Sequence, residues 1–235
     1  MDNSVTDNSV IVCTMLSRTP EPDLMNGAQQ AQAYADADFS APHDAFVAHF
    51  RRLFPGFSSG HLLDLGCGPA DVTLRFARAL PDARLTGVDG ADAMLELGRA
   101  AMTRLGLAQR VTLERRYLPD AALPRAAFDA VVSNSLLHHL NDPAVLWQTI
   151  RHAARPGAPV AIMDLMRPAS LDEARALTAL YAADAPEVLR HDFHHSLLAA
   201  YRPQEVRAQL DAAGLGGFSV AAVSDRHLLI WGTCP

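Results

Sequence analysis

Two rhythms of apolar and polar positions alternate along the chain. Short apolar runs closed by glycine or proline predict buried strands, and apolar positions three or four apart predict the helices that cover them. Leu62, Leu63 and Leu65 form the first run, ended by Gly66 and Gly68, and Val72, Phe76, Ala79 and Leu80 then recur at helical spacing. Residues 84–89 predict a second strand. A helix from Ala91 follows, with Met94, Leu95, Gly98, Ala101, Met102 and Leu105 as its inner stripe. Residues 111–115 predict a third strand, 119–124 a loop rich in turn residues, and 128–134 (FDAVVSN) a fourth strand. Asp142-Pro143 opens a helix, with proline at its first position and Leu146, Ile150 and Ala153 facing inward. Pro156-Gly157 then turns into a fifth strand over 159–165. Such alternation predicts an α/β fold built on a parallel, doubly wound sheet.

The flanks break the alternation. Residues 1–22 are polar and contain Thr19-Pro20-Glu21-Pro22, which predicts a mobile arm and leaves 23–235 as a single domain. Residues 26–38, carrying Tyr34, and 43–54, with Phe46, Val47, Phe50 and Leu53 in register, predict two helices before the first strand. The stretch 170–201 is helical by pattern yet follows no strand–helix repeat. It predicts a lid, about 169–202, over the carboxyl ends of the strands, where ligands bind in such sheets. An amphipathic helix over 203–213 is stopped by Gly214, and two strands at 218–223 and 227–232 close the chain around Ser224-Asp225-Arg226.

Composition narrows the function. A chain of 235 residues, 49% hydrophobic and 20% charged, suits one sizeable domain of a soluble globular protein. The net charge of −6 argues against a broad nucleic-acid footprint. No apolar run is long enough to span a bilayer, and residues 1–16 lack the features of a secretory signal, so no membrane association and a cytoplasmic location are expected. Cys13, Cys67 and Cys234 are scattered and form no CxxC pair, which predicts neither a disulfide frame nor a zinc site. The chain contains no lysine, which excludes Schiff-base chemistry and a P-loop.

The chemistry centres on HLLDLGCGPAD, residues 61–71, read with LTGVD, residues 85–89. Gly66 and Gly68 allow a tight turn and close approach of a ligand, and the following helix turns its first N–H groups toward it. Asp89, ending the second strand, can accept from both hydroxyls of a ribose. A dinucleotide fingerprint wants a third glycine at position 71, where this chain has Asp71. The run DLGCGPAD followed by GVD resembles motif I and the next acidic strand end of class I S-adenosylmethionine-dependent methyltransferases of the small-molecule type. The closing helix and hairpin are similar to the end of that family's sheet. The resemblance covers roughly residues 60–233. It implies a Rossmann-like seven-stranded sheet of order 3-2-1-4-5-7-6 with the last strand antiparallel, and S-adenosyl-L-methionine as cofactor, leaving as S-adenosyl-L-homocysteine. It also implies that the Gly66–Cys67–Gly68 loop, with Asp64, holds the methionyl part, and that Asp89 and Gly90 meet the ribose. Asn134 and Ser135 would then contact the methionyl end, Met94 the ribose–adenine region, and Tyr34 would close over the cofactor or pack beneath the cover helices. Where the family often has an aspartate near the adenine, this chain has Tyr117 or Leu118, with Asp120 displaced along the loop.

The stretch 128–140 (FDAVVSNSLLHHL) resembles the fourth strand of small-molecule methyltransferases, whose following residues line the transfer centre. His138, beyond the fourth strand, and Asp164, near the end of the fifth, reach one pocket if those strands are neighbours. An aspartate accepting from one ring nitrogen fixes the tautomer and frees the other to take a proton, as O-methylation of a weakly acidic hydroxyl needs. The bland alternative is that the histidine caps the strand end and Asp164 fixes backbone. His138 is preferred over His139. Arg167 could meet an acidic acceptor or salt-bridge the lid. His191, His194 and His195, with Asp192, share helical spacing that could hold a metal, but no second motif supports one. No metal is expected, and His194 and His195 are read as lining the acceptor pocket, with a solvated lid face as the bland alternative. Three other readings stand beside a small-molecule methyltransferase: a tRNA or other nucleic-acid methyltransferase, an NAD-dependent oxidoreductase and a non-catalytic cofactor-binding protein. Oligomeric state is not legible.

Overall fold

The computed structural model describes residues 16–21 and 27–235. Its strands are β1 (Ser59–Leu65), β2 (Asp82–Asp89), β3 (Val111–Arg115), β4 (Ala130–Asn134), β5 (Pro159–Leu165), β6 (Ser219–Ala222) and β7 (His227–Thr233). They form one sheet of order β3-β2-β1-β4-β5-β7-β6. β1 to β5 run parallel, and β7 is antiparallel to both β5 and β6. Two cover helices, α1 (Ala28–Asp36) and α2 (Ser40–Leu53), precede the sheet. Helices α3 (Asp71–Ala79), α4 (Asp92–Arg104) and α5 (Ala144–Ala153) connect its strands. After β5 come α6 (Leu171–Tyr181), α7 (Glu187–Ala199) and α8 (Pro203–Ala212). Among the described residues no helix is long and apolar enough to cross a membrane.

Side chains alternate across a strand, so each central strand feeds two cores. Leu63, Leu65, Val131, Val160 and Ile162 meet Trp147 and Ile150 of α5 and Leu210 of α8 on one face. Leu62, Ala130, Val132, Ala161 and Met163 meet Phe46 and Phe50 of α2 and Phe76 of α3 on the other. Phe76 lies edge-on to both phenylalanines of α2, with ring centroids 5.6 and 5.2 Å away. Because β1 pairs with both β2 and β4, the winding reverses beside it and a crevice opens at the carboxyl ends of the strands.

Several boundaries differ from the apolar pattern. β1 and β2 start earlier, at Ser59 and Asp82, because parallel pairing with a neighbour extends a strand past its apolar residues. Phe128 makes only an isolated bridge to Ala154, so β4 starts at Ala130. Pro143 caps α5 rather than beginning it. The lid is two helices joined by 182–186, and α6 starts at a Ser170 hydroxyl that accepts from the Glu173 N–H. Phe193 of α7 packs with Leu165, Leu177 and Leu197, a small core that ties the lid to the end of β5.

Residues 16–21, part of the expected arm, lie against the lid and the turn after β4. Arg18 donates to the carbonyls of Ala199, His138 and Leu140, and its guanidinium lies 4.3 Å from the centre of the Tyr201 ring. The Leu16 N–H reaches the Ala169 carbonyl and the Thr19 N–H that of Leu198. Residues 1–15 and 22 of the expected arm lie outside the described residues.

Candidate active site

One cavity of about 1580 Å³ opens at the crevice, between the ends of β1, β2, β4 and β5, the cover helices and the lid. Its floor begins where β1 turns. Gly66 has φ +70, and a Cβ there would come within 2.8 Å of Leu136. The Gly66 and Cys67 N–H groups both donate to the Val88 carbonyl, which pins the loop against β2. Asp89 holds it from the other side: its carboxylate accepts from the Gly68 N–H at 2.9 Å and from the Ala91 N–H at 2.8 Å. The thiol of Cys67 is pushed well up by burial and the nearby Asp64 and Asp89 carboxylates, so it stays protonated.

Asp64 is buried at the end of β1 and accepts from the Thr73 hydroxyl at 2.5 Å, while its second oxygen has no partner. Burial raises its pKa to about 7, against the opposing pull of Thr73. Folding therefore holds a proton that the unfolded chain, titrating near ~3.9, releases. Stability from this group is lost as pH rises from the unfolded value through the folded one. Asp64→Asn carries no such penalty, so the gain in melting temperature over the wild type should be larger at about pH 8 than at about pH 5. Equal gains at both pH values would contradict a buried, titrating Asp64.

α3 begins without a side-chain cap, and Asp71 sits in its first turn. There Asp71 accepts from His43 Nδ1 at 2.6 Å and from Arg75 at 2.8 Å. Burial works against its charge, but His43 and Arg75 prevail and hold the carboxyl at about 2. Tyr34 lines the cavity and packs on Phe39, with ring centroids 4.8 Å apart. Burial, then the Asp71, Asp164 and Asp89 carboxylates, push its hydroxyl to about 12.

At the other wall the chain leaves β4 through Ser135, a non-glycine residue with φ 56, and enters a one-turn helix, Leu137–His139. His138 Nδ1 lies 2.6 Å from Asp164 Oδ1, and both residues are buried. The carboxylate also accepts from the Leu137 and Leu165 N–H groups, each at 2.7 Å. Burial opposes charge on His138, but Asp164, supported by Glu21, raises its pKa above the ordinary value. His139 stacks on His138 with ring centroids 4.1 Å apart, and its Nδ1 meets the Glu21 carboxylate at 3.0 Å. Burial and the neighbouring His138 lower the pKa of His139. Ligand-type atoms of Glu21, His138 and His139 lie within 4.8 Å of one another.

Tyr34, Asp64, Gly66, Cys67, Gly68, Asp89, Gly90, Met94, Tyr117, Leu118, Asn134, Ser135 and His138 thus share one cavity, with Asp164 directly behind His138. Three sequence-based assignments need correction. His194 and His195 face away from the cavity, where with His191 they line a separate shallow cleft beside Thr178 and Arg190. The helical period decides this, since Leu189, Asp192, Phe193 and Ser196 take the inward face of α7. Arg167 is buried outside the cavity, donating to the Leu16 and Ala200 carbonyls and paired with Glu205. Glu21, Arg18, His43 and His227 were missed. Glu21 and Arg18 carry no local signal, whereas Asp71 in the first turn of a helix was a cue to a partner such as His43.

The cavity residues fit S-adenosylmethionine. Asp64 Oδ1 and Asn134 Oδ1 are buried acceptors without a partner, which suits a ligand carrying an ammonium group. The Asp71 and Asp89 carboxylates line the same end, which suits a cation. A family model described as a methyltransferase domain matches residues 62–157. The 27-O-demethylrifamycin SV methyltransferase of Amycolatopsis mediterranei is 30% identical over 218 residues, covering 89% of this chain and 74% of that relative. A trans-aconitate 2-methyltransferase of Methylobacterium radiotolerans is 37% identical over 102 residues, 43% of this chain and 36% of the relative. The crystal structure of a SAM-dependent methyltransferase from Aquifex aeolicus shares the fold, with a TM-score of 0.64 at 16% identity, over 89% of this chain and 99% of that one. The sheet order, the cavity and these similarities agree, and the chain belongs to the class I S-adenosylmethionine-dependent methyltransferases.

Proposed function

We propose that this enzyme methylates a hydroxyl oxygen of a small molecule, with His138 as the base and Asp164 as its orienting partner. The buried contact of 2.6 Å between His138 Nδ1 and Asp164 Oδ1, at the wall of the cavity, is the observation that carries the reading. Nδ1–H donated to the carboxylate leaves Nε2 as the acceptor, and the acceptor's hydroxyl proton goes there. When bound, S-adenosylmethionine supplies a methyl group activated by its sulfonium. The chain's residues align the acceptor oxygen with that methyl and exclude water, which contributes much of the rate.

In this reading the Gly66–Cys67–Gly68 loop, Asp64, Asn134 and Ser135 hold the methionyl part, and Asp89 and Gly90 the ribose. Met94, Tyr117 and Leu118 flank the base, and Tyr34, neutral across the working pH range, covers the cofactor. The demethylrifamycin and trans-aconitate relatives are named for small-molecule acceptors, which supports a small molecule over a nucleic acid. So do the aspartates at the rim of the cavity, Asp38, Asp142 and Asp184, which would repel a phosphate backbone.

The test is a screen of hydroxyl, amine and thiol compounds for S-adenosylhomocysteine release, followed by a pH profile on the best acceptor. His138 must be unprotonated to act, and its pKa is raised, so kcat/KM should fall below a midpoint above the ordinary histidine value. Asp164→Asn should move that midpoint down. A profile flat through the histidine range, or amines turned over in preference to every hydroxyl, would overturn the O-methylation reading.

A further inference from the structure

The cavity also describes the acceptor, given that the reading above places acceptor and cofactor in it together. At about 1580 Å³ it exceeds the pocket of a single drug-sized ligand, roughly 300–1,000 Å³. The part beyond the cofactor loop carries apolar surface among its polar residues: Leu140, Leu165, Leu189 and Phe193 line its depth, and Leu180 and Tyr181 its mouth. Leu180 is 67% and Tyr181 45% exposed, so apolar surface continues to the rim.

Among the described residues lining this side, the acidic ones have no ion-pair partner while the arginines do. Asp142, Asp184 and Asp192 line it, and Asp192 already accepts from Gln30 at 2.7 Å. The arginines among the described lining residues are Arg116 and Arg226. Arg116 is held by Glu114 and Asp120, each at 2.7 Å. Arg226 is paired with Asp225 at 2.9 Å and lies 3.3 Å from the centre of the Tyr181 ring. Of the lining histidines, His43, His138 and His139 are each paired with a carboxylate, and burial first, then Arg226, lowers the pKa of His227 to about 4. An acceptor carboxylate or phosphate entering here would lose its water and meet carboxylates and cations that are already paired.

We infer that the acceptor is a bulky, largely apolar hydroxyl compound that is uncharged or cationic, and that the Asp142–Asp184–Asp192 side of the cavity rejects anionic analogues. Exposed Asp184, on the loop between α6 and α7, is the accessible selector.

The experiment is calorimetric titration of the full chain, saturated with S-adenosylhomocysteine, with three probes of one carbon skeleton: naphthol, hydroxynaphthoate and aminomethylnaphthol. Naphthol and the amine should bind about tenfold or more tightly than the carboxylate. Asp184→Arg should narrow or reverse that order without changing the affinity for S-adenosylhomocysteine. Equal or tighter binding of hydroxynaphthoate overturns the inference, as does a charge reversal that leaves the order untouched. Failure to bind any probe overturns it as well, because the apolar depth would then not be an acceptor pocket. Failure of the base mechanism reads differently: turnover survives in His138→Ala while the binding order stands.

Discussion

Alanine in place of His138 is expected to lower kcat by about 10²–10⁴-fold while S-adenosylmethionine still binds. None of the hydrogen bonds that hold the glycine loop, from Gly66 and Cys67 to Val88 and from Gly68 to Asp89, involves His138, so its removal leaves them in place. In the proposed mechanism, what disappears is the acceptor for the hydroxyl proton, and the remaining rate reflects alignment alone. Truncation also strips one donor from a buried carboxylate, although the Leu137 and Leu165 N–H groups still hold it. Asp164→Asn serves as the companion because it keeps the shape. An amide that donates to Nδ1 forces the proton onto Nε2, the wrong tautomer for a base, so turnover should fall here too. The checks are single-turnover rates alongside the melting shift with S-adenosylmethionine. Full turnover in both variants would reduce the pair to a strand-end cap. A loss of the melting shift would mean instead that the substitution had damaged the cofactor site.

Removing the Asp89 carboxylate is expected to cost about 100-fold or more in S-adenosylmethionine affinity. A carboxylate offers about four acceptor positions. Gly68 and Ala91 fill two of them, which leaves two for a pair of ribose hydroxyls. Hydrogen bonds to a charged group contribute about 1.5–3 kcal/mol each, so losing both removes about 3 kcal/mol or more. The Gly68 N–H also loses its partner, which loosens the loop and adds to the effect. In a melting experiment Asp89→Ala should show little of the wild type's shift with S-adenosylmethionine. A full shift would place the ribose elsewhere in the cavity.

Most of the frame was legible because it rests on local rules. Apolar runs marked the five parallel strands, and Gly66 and Gly68 marked the turn, because both take a left-handed backbone and Leu136 leaves no room for a side chain at Gly66. His138 and Asp164 were paired from their places after neighbouring strands, and the structure sets them in contact. Asp120 is paired with Arg116 and is not among the residues lining the cavity. Reading failed where a residue's meaning depends on a distant partner. Residues 16–21 look like a polar arm until Ala199, His138 and Leu140 present carbonyls to Arg18. Arg167 reads either as meeting an acidic acceptor or as forming a salt bridge to the lid, and only its distant partners, Glu205 and the Leu16 and Ala200 carbonyls, decide against the first. The α7 histidines are clustered at helical spacing, but spacing gives a shared face without saying which way that face looks.

The sequence by itself determined the order of strands and helices, the glycine turn with its acidic neighbour, and the two residues that meet at the far wall. The element order and the glycine turn follow from periodicity, backbone freedom and the parallel connection rule, which act within a few residues or a single strand–helix unit. The meeting of His138 and Asp164, by contrast, rested on the strand order that the family resemblance implies. Only the tertiary structure decided the orientation of the lid, the anchoring of residues 16–21 beside His138 and His139, and the pairing of every lining arginine. The charge character of the acceptor side belongs to the same group. These depend on which desolvated charge finds which partner, and burial selects those pairings across separations in sequence that no local pattern spans.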